Sequence, residues 1–279
     1  MYRRYTPSPP LAAFADCLWY SEGLQGTHAR ERLLPNGESG IVFDLRESPQ
    51  NHLQLQPGHG VESSNICEPA TYATAVFCGA RTDSFLLDTS EQERVIGIQF
   101  RPGGAFPFLG MPASEVAHRT YALDEIWSTH AALTREELLH SQSVTAMFSV
   151  LEKALLARLK RAPFLHPAVA FATARLSKPA ANTRVQDVVD RIGVSSRHFK
   201  ELFREQTGLT PKAFQRVRRF QHVLQALRSH SEEPGAALAA DCGYYDQAHF
   251  IHDFKHFSGM TPSEYLNVAT PHLNHIPLL

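Results

Sequence analysis

The stretch GVSSRHFKELFREQTGLTPKAF, residues 193–214, decides the fold of this chain because a related stretch follows it about fifty residues later. The second stretch, GYYDQAHFIHDFKHFSGMTPSEY, covers residues 243–265. Positions that match at an offset of 51 residues are Phe199 and Phe250, Phe203 and Phe254, Gly208 and Gly259, and Phe214 and Tyr265. The sequence therefore contains an internal repeat.

Each copy of the repeat predicts a helix, a glycine-containing turn and a second helix. Gly193 and Gly243 stand where the first helix must end, and a residue without Cβ accepts left-handed dihedral angles there. Ser195 and Asp246 can cap the helix that follows. A single helix-turn-helix occurs in many all-α domains, so one copy does not by itself indicate DNA binding. Two copies joined by one helix favour it.

The joining helix is predicted for residues 211–228, where apolar residues recur at helical spacing. Its length would be roughly 26 Å at the rise of an α-helix. Such a helix could hold two recognition helices about 34 Å apart, so that both enter successive major grooves on one side of DNA.

Residues 165–267 resemble the DNA-binding domain of AraC-family transcriptional regulators. The matching residues are Ser195, Arg197, His198, Phe203, Gly208 to Pro211, Leu238, Ala239, Gly243, Tyr244, His249, Phe250, Phe254, Lys255 and Gly259 to Tyr265. Where family members often carry arginine this chain has Glu201 and His252, and where they often carry serine it has Ala248. The resemblance implies a regulator of transcription, with activation as the more common outcome in the family.

Polar residues on the outer faces of the two recognition helices are the candidate DNA contacts. Arg197 and Lys200 can donate to guanine and Gln247 can bridge adenine, whereas Glu201 can accept from cytosine. We expect Arg204, Lys255 and Arg218 to contact phosphates, although Arg218 could equally lie on a solvated helix face. The full candidate set is Ser195, Ser196, Arg197, Lys200, Glu201, Arg204, Gln247, His249, His252 and Lys255.

Length and composition limit the number of domains and the class of protein to which the chain can belong. Its 279 residues suggest two domains, and 43% hydrophobic with 20% charged residues is ordinary for a globular protein. Residues 165–267 hold 13 Lys and Arg against 10 Asp and Glu, a net charge of +3, while residues 1–164 hold 14 against 18, a net charge of −4. The charge distribution is therefore compatible with DNA binding by the C-terminal part.

The cysteines and the hydropathy pattern favour a reducing, cytoplasmic location. Cys17, Cys67, Cys78 and Cys242 are too few and too irregularly spaced for a disulfide framework or a metal site, so we expect reduced, mostly buried thiols. No N-terminal signal segment and no run of 18 apolar residues occurs.

The N-terminal part predicts short strands that form a small β-barrel or sandwich. A segment at 11–20 reads as a helix or a helix leading into a strand, and 33–37 reads as a strand ending in an Asn-Gly turn, with 41–45 as the returning strand. Further strands are predicted at 71–78, 84–87 and 94–100, and helices at 113–118, 123–133, 143–161 and 167–176, with Thr183 as a later cap.

The resulting fold class is α+β, with a β-rich N-terminal domain carrying packed helices and an all-α domain with two helix-turn-helix units. We place the first domain at residues 1–162, the second at 163–268 and a C-terminal tail at 269–279, with the linker near 161–166. The apolar stripe of the helix at 143–161 either packs onto its own barrel, which we favour, or mediates dimerisation.

Three N-terminal motifs resemble a regulatory domain that is fused to this DNA-binding unit in bacterial regulators. They are Leu34 to Gly37, Cys78 with Gly79, and Phe100 to Gly104. The resemblance implies a β-rich sensor domain, and a small-molecule effector would act by its different affinity for two states of the protein. The alternative is a protein-interaction module without a small-molecule ligand.

An enzyme is the least favoured hypothesis for the N-terminal domain. His28, His52 and His59, with Glu38, Asp44 or Glu62, could suggest a metal site, but they lack the spacing of known ligand motifs. The turn at 101–104 could cradle an anion with its amides, although such a turn is usually only a turn. We predict no catalytic activity, metal or cofactor. The predicted partners are double-stranded DNA, RNA polymerase, a small-molecule effector and a second copy of the chain, with no membrane.

Overall fold

The computed structural model describes residues 1–23, 30–46, 55–57, 73–88, 93–159, 164–178, 184–229, 235–270 and 272–278. The expected cap Thr183 and the residues Cys67, His28, His52, His59 and Glu62 lie outside these ranges. The predicted boundary at residue 162 also lies outside them, so the division into domains stays a prediction.

The N-terminal part consists of two antiparallel β-sheets, followed by helices, and the C-terminal part is helical. This agrees with the predicted α+β class. The strands are β1 (Tyr2–Tyr5), β2 (Ala15–Glu22), β3 (Arg30–Leu33), β4 (Gly40–Asp44), β5 (Leu55–Pro57), β6 (Ala75–Cys78), β7 (Phe85–Asp88), β8 (Arg94–Phe100), β9 (Thr120–Ala122) and β10 (His275–Leu278). One sheet has the order β1-β2-β8-β4-β6-β9 and the other β10-β3-β7-β5.

Most helices follow strands β1 to β8 in the chain, whereas β9 comes after the first α-helix and β10 comes after the last helix. A 3-10 turn at Leu11–Ala13 precedes β2. The N-terminal helices are α1 (Phe106–Leu109), α2 (Leu123–Trp127), α3 (Thr129–Leu139) and α4 (Val144–Leu159). The C-terminal helices are α5 (Pro167–Leu176), α6 (Val185–Ile192), α7 (Ser196–Thr207), α8 (Pro211–Ser229), α9 (Ala236–Asp241), α10 (Gln247–Ser258) and α11 (Pro262–Val268). No helix among the described residues is long and apolar enough to cross a membrane.

The segment after the Asn-Gly turn corrects one expectation. Gly37 adopts the positive φ of +74° that the turn signal predicts, and the Asn36 side chain accepts a hydrogen bond from the Glu38 amide. However, β3 and β4 do not pair with each other, because β3 belongs to the smaller sheet and β4 to the larger one. The turn therefore carries the chain between sheets, and the prediction of a hairpin was wrong.

Two predicted helices also differ from the structure. Residues 113–118 form turns, since the Ala113 amide donates to the Glu205 carbonyl and the His118 amide to the Ala80 carbonyl. The segment predicted as one helix at 123–133 is divided at Ser128, whose φ is +51°. In both places hydrogen bonds or turns that depend on the surrounding fold override a local helical pattern.

The apolar stripe of α4 packs onto the N-terminal domain, as we favoured from the sequence. Met147, Phe148, Leu151 and Leu155 are buried in one cluster with residues of the larger sheet and of α2 and α3. The Trp127 indole of α2 joins that core and donates to the Phe108 carbonyl at 3.0 Å.

The C-terminal helices enclose two further apolar clusters, one for each copy of the repeat. The first contains Phe199 and Phe203 of α7 with Phe214 of α8. The second contains Phe250 and Phe254 of α10 with other residues of α8. The long helix α8 thus contributes to both cores, which fixes the two helix-turn-helix units on one scaffold.

The last described residues return to the N-terminal domain. Strand β10 pairs antiparallel with β3, with His275 opposite Leu33 and Leu278 opposite Arg30. Its Ile276 is buried in the same cluster as Leu34 and the α8 residues. This strand therefore ties the end of the helical part to the edge of the smaller sheet.

Candidate nucleic-acid interface and ligand cavity

The first helix-turn-helix unit consists of α6 and α7. Gly193, between the helices, has a φ of +74°, and the Ser195 hydroxyl accepts a hydrogen bond from the His198 amide at 3.3 Å. This cap satisfies one of the amides that the first turn of α7 leaves without an intrahelical partner. Both features follow the sequence prediction.

The second unit, α9 and α10, repeats the same local geometry. Gly243 has a φ of +77°, and Asp246 caps α10 by accepting from the His249 amide at 2.7 Å. At the other end, the Ser258 hydroxyl donates to the Phe254 and Met260 carbonyls. Thr207, 51 residues earlier, makes the corresponding bonds in α7, so the repeat extends to individual hydrogen bonds.

The ten candidate DNA contacts lie on the outward side of α7 and α10 or in their caps. Nine are exposed and Ser196 is half-buried. The buried sides of the same helices carry Phe199, Phe203, Phe250 and Phe254. The recognition helices therefore present polar groups to solvent while their aromatic residues hold them in place.

Arg197 and Glu201 form an ion pair one helical turn apart. The Arg197 Nε atom lies 3.0 Å from Glu201 Oε1, and the side chains are 90% and 62% exposed. Pairs of this kind contribute about 0.3–0.5 kcal/mol. The Arg197 guanidinium can therefore exchange Glu201 for another acceptor at little cost in free energy. While no other acceptor is bound, Glu201 orients the guanidinium.

Helix α10 carries a buried carboxylate, Asp253, on its inner side. Asp253 is 2% exposed, and its Oδ1 atom accepts from the Arg216 guanidinium of α8 at 2.7 Å. Its Oδ2 atom lies 3.7 Å from His249 Nε2 and has no hydrogen-bond partner within the described ranges. Asp253 thus links the candidate contact His249 to the joining helix.

Arg218 does not lie where either sequence interpretation placed it. Its Nη1 atom donates to the Asn36 carbonyl at 3.3 Å and to Glu38 Oε1 at 3.0 Å. Both side chains of the Arg218–Glu38 pair are 19% exposed. Arg218 is thus an interdomain residue, and its expected contact with phosphate is replaced by a contact with the N-terminal domain.

The N-terminal domain contacts both recognition helices at their C-terminal ends. The Ala113 amide donates to the Glu205 carbonyl of α7 at 2.6 Å. The Arg32 guanidinium of β3 donates to the Ser258 carbonyl of α10 at 2.8 Å. These bonds satisfy carbonyls that a helix end leaves free, while the capped N-terminal ends stay exposed.

A cavity of about 390 Å³ lies between the two sheets. This volume falls in the range of small-molecule sites. Its wall includes Trp19, Val42 and Ile98 of the larger sheet and Leu33 and Phe85 of the smaller one. His272, Asn274 and His275, which follow α11, also line it. The sequence did not predict this contribution from the tail.

The turn at 101–104 uses its amides within the fold. The Arg101 amide donates to the Phe14 carbonyl at 2.8 Å, and the Gly104 amide donates to the Arg101 carbonyl at 2.7 Å. Pro102 has no amide hydrogen. This arrangement favours the reading as a turn over an anion cradle.

Three of the four cysteines lie in the described part of the chain. Among these, Cys17 is buried, whereas Cys78 and Cys242 are half-buried, and all three are free thiols. Burial raises the pKa of the Cys242 thiol to about 11, so it stays protonated near neutral pH. The same part of the chain contains no group of three residues that could hold a metal ion.

Comparisons with known proteins match the two parts of the chain separately. Residues 188–267 match a family described as a helix-turn-helix domain, and residues 3–122 match a domain of unknown function, DUF6597. Over 69 residues the chain is 39% identical to the transcriptional activator RhaR of Yersinia pseudotuberculosis, a match that covers 25% of this chain and 23% of RhaR. Over 90 residues it is 27% identical to an uncharacterised helix-turn-helix regulator of Haemophilus influenzae, covering 32% of this chain and 30% of the relative.

A solved structure also matches the C-terminal part. It is a transcriptional regulator with an AraC-type DNA-binding domain from Chromobacterium violaceum, 22% identical. The match covers 38% of this chain and 96% of that one, with a TM-score of 0.35. The chain thus spans less than a third of the length of the two relatives named above.

Proposed function

We propose that the protein is a sequence-specific transcriptional regulator of the AraC type that binds double-stranded DNA, because its C-terminal part holds two helix-turn-helix units and matches a helix-turn-helix family. A small molecule in the N-terminal cavity would control it. The observation that carries the proposal is the repeated geometry of α7 and α10, each capped, anchored by buried phenylalanines and polar on its outer face. This proposal assigns the chain no catalytic step.

Base recognition is assigned to the exposed side chains near the capped ends of the two helices. Arg197, Lys200 and Glu201 would read one half of the site, with Ser195 and Ser196 at the helix start. Gln247, His249 and His252 would read the other half, while Arg204 and Lys255 would contact phosphates. The N-terminal ends of both helices favour phosphate as well, since their free amides carry partial positive charge.

Control by a ligand is supported by the segment that joins the cavity to the second helix-turn-helix unit. Glu31, Asn36 and Glu38 line the cavity, and the last two also contact Arg218 of α8. Within the same segment, Arg32 bonds the end of α10. A ligand that shifts this segment would act on the second unit directly, whereas the first unit is held by Ala113, outside the cavity wall.

The cavity also favours a small-molecule sensor over a pure protein-interaction module, because a module of that kind needs no internal space. Activation rather than repression, contact with RNA polymerase, dimerisation and a cytoplasmic location remain part of the proposal. The activator RhaR among the relatives supports activation.

The experiment selects operator sequences from random duplex DNA with the full-length protein and then measures affinities for the selected and a random duplex. Arg197→Ala should weaken the selected site by about 1–3 kcal/mol and relax one base position, since a base contact is lost. Lys255→Ala should weaken both duplexes by a similar factor and reduce the salt dependence.

Lys153→Ala, on the exposed face of α4, serves as the control for loss of one positive charge far from the repeat. It should leave both affinities unchanged. Failure to enrich any sequence would contradict sequence-specific binding. Equal losses on both duplexes for Arg197→Ala would remove it from the base-reading set.

A further inference from the structure

One cation in the cavity wall, Arg81, forms no ion pair within the described residues. Arg81 is 7% exposed, and its Nη2 atom donates to the Thr120 hydroxyl at 2.7 Å. Its Nε atom has no hydrogen-bond partner, and no carboxylate forms an ion pair with it in the described part of the chain. The Asp83 carboxylate interacts electrostatically with this guanidinium, but it makes its ion pair with His118 at 3.2 Å. Within the described residues Arg81 therefore keeps an unused hydrogen-bond donor and no ion-pair partner of its own.

An unpaired buried guanidinium is unusual because it stays charged and its desolvation is costly. Burial lowers the pKa of Arg81, which reflects the same cost. The guanidinium carbon lies 4.6 Å from the centroid of the Phe85 ring. This contact stabilises a cation only modestly and leaves its hydrogen-bonding capacity incomplete.

The acids in the same wall already have partners. Asp16 pairs with Arg4, Glu31 with the His275 imidazole at 2.6 Å, and Glu38 with Arg218 at 3.0 Å. A cationic ligand would have to break one of these pairs to reach a carboxylate. An anionic ligand could accept a hydrogen bond from Arg81 without breaking an ion pair. The cavity therefore selects for negative charge at one point of its wall.

The other residues of the cavity wall limit the size and chemical nature of an anionic ligand. Trp19, Leu33, Phe85 and Leu87 supply apolar surface, so the body of the ligand should be apolar. A volume of about 390 Å³ holds on the order of a dozen non-hydrogen atoms, if each takes the space of a water molecule. Three acidic side chains in the wall disfavour a doubly charged group, which favours a carboxylate over a phosphate.

We propose that the cavity binds a small organic monocarboxylate, with Arg81 as the counter-ion of its carboxylate and an apolar body packed against Trp19 and Phe85. The inference rests on the proposed function only in treating the cavity as the effector site. It names the chemical class of the effector.

The test measures binding to the full-length protein without DNA, by thermal shift and by Trp19 fluorescence in a Trp127→Phe background. Trp19 and Trp127 are the two tryptophans of the chain, and Trp19 lines the cavity. The probes are acetate, hexanoate and benzoate, each compared with its neutral amide. Phenyl phosphate is the dianionic probe.

We expect saturable binding of benzoate or hexanoate, with the matching amide at least about tenfold weaker, the factor that corresponds to one charge-assisted hydrogen bond. Arg81→Met should weaken carboxylate binding by at least the same factor while keeping or raising the melting temperature, since it removes an unpaired buried charge. Arg4→Met is the matched control, because Arg4 lines the same cavity but is exposed and paired with Asp16.

Three results would each overturn the proposal: no saturable binding of any carboxylate up to on the order of 10 mM, amides that bind as well as the acids, or unchanged carboxylate affinity in Arg81→Met. Tighter binding of phenyl phosphate than of benzoate would overturn the choice of carboxylate. Because DNA is absent from the assay, these results are distinguishable from a failure of DNA binding.

Discussion

The ion pair between Glu38 and Arg218 lies where the cavity, the turn of residues 34–37 and helix α8 meet. Burial raises the pKa of the Glu38 carboxyl, and the Arg218 guanidinium opposes that rise. The raised pKa means that the folded state holds a proton more tightly than the unfolded state. Ionisation of Glu38 therefore reduces stability as the pH increases above the usual carboxyl pKa of about 4.3.

We expect Arg218→Met to destabilise the protein by about 2 kcal/mol at pH 7, since it leaves a half-buried carboxylate without its partner. The loss relative to wild type should shrink as the pH falls through the raised pKa of Glu38, because a growing fraction of the carboxyl is then neutral in both proteins. Chemical denaturation at several pH values measures it.

The double variant Glu38→Gln with Arg218→Met should recover most of the loss at pH 7. Lys153→Met, which breaks the exposed pair with Glu137, is the control and should cost less than about 0.5 kcal/mol. A destabilisation by Arg218→Met that does not depend on pH would show that packing, and not charge, accounts for the effect.

Arg216 offers a second prediction at the scale of single residues. Arg216→Met should destabilise the protein by about 2 kcal/mol because Asp253, 2% exposed, then carries an unpaired charge. Asp253→Leu added to the same protein should restore stability, and urea denaturation compares the three proteins. A double variant no more stable than the single one would rule out the unpaired charge as the cause.

At the scale of elements, the two turns that end α6 and α7 differ in their surroundings. Gly193 has a φ of +74° with no atom within 4 Å of an added Cβ. Gly208 has a φ of +84°, and an added Cβ would lie 3.1 Å from the Ala113 carbonyl oxygen. A side chain added at Gly193 would strain only the backbone of the turn. A side chain added at Gly208 would also contact the N-terminal domain at Ala113.

Gly193→Ala should therefore cost about 1 kcal/mol, the penalty for left-handed dihedral angles. Gly208→Ala should cost about 1 kcal/mol more, because the turn must also move away from Ala113. The free energies of unfolding from urea titrations compare the two variants. Equal losses of unfolding free energy in the two variants would mean that the contact between Gly208 and Ala113 can rearrange without a penalty.

The helical elements were the part most accessible from sequence. Glycines at positive φ and the caps Ser195 and Asp246 are local signals, and the structure confirms the helices they predict. The N-terminal elements were less accessible. Turn chemistry identified the bend at Gly37 but not that it connects two sheets, because strand pairing depends on distant partners.

At the scale of the whole molecule, the same limit applies to the cavity. Arg81, Glu38 and His275 are far apart in sequence, and only the fold brings them into one wall. No periodicity or motif relates them. The two recognition helices, by contrast, repeat at a fixed offset, so the candidate DNA contacts on them could be named residue by residue, and their role stays a prediction.

Strand β10 leads to a prediction about the whole chain. A truncation that ends at Thr270 should expose the edge of β3, remove three residues from the cavity wall and break the hydrogen bond between Gln221 and Asn274. We expect a lower melting temperature and faster exchange of those amides in residues 30–33 that point toward β10, since they lose their partners while the amides facing β7 keep theirs.

Ile276→Ala, which keeps the backbone pairing, is the matched variant and should leave the exchange in residues 30–33 slow while lowering stability by about 2–3 kcal/mol. Unchanged exchange after truncation would show that β3 does not depend on β10.

The pairing of residues 275–278 with residues 30–33 also has a consequence for biosynthesis. During synthesis, the smaller sheet lacks its edge strand β10 until both helix-turn-helix units have been translated. A newly made molecule therefore contains both helix-turn-helix units before the cavity wall is complete, and a nascent chain stalled before residue 275 would lack His275 in that wall.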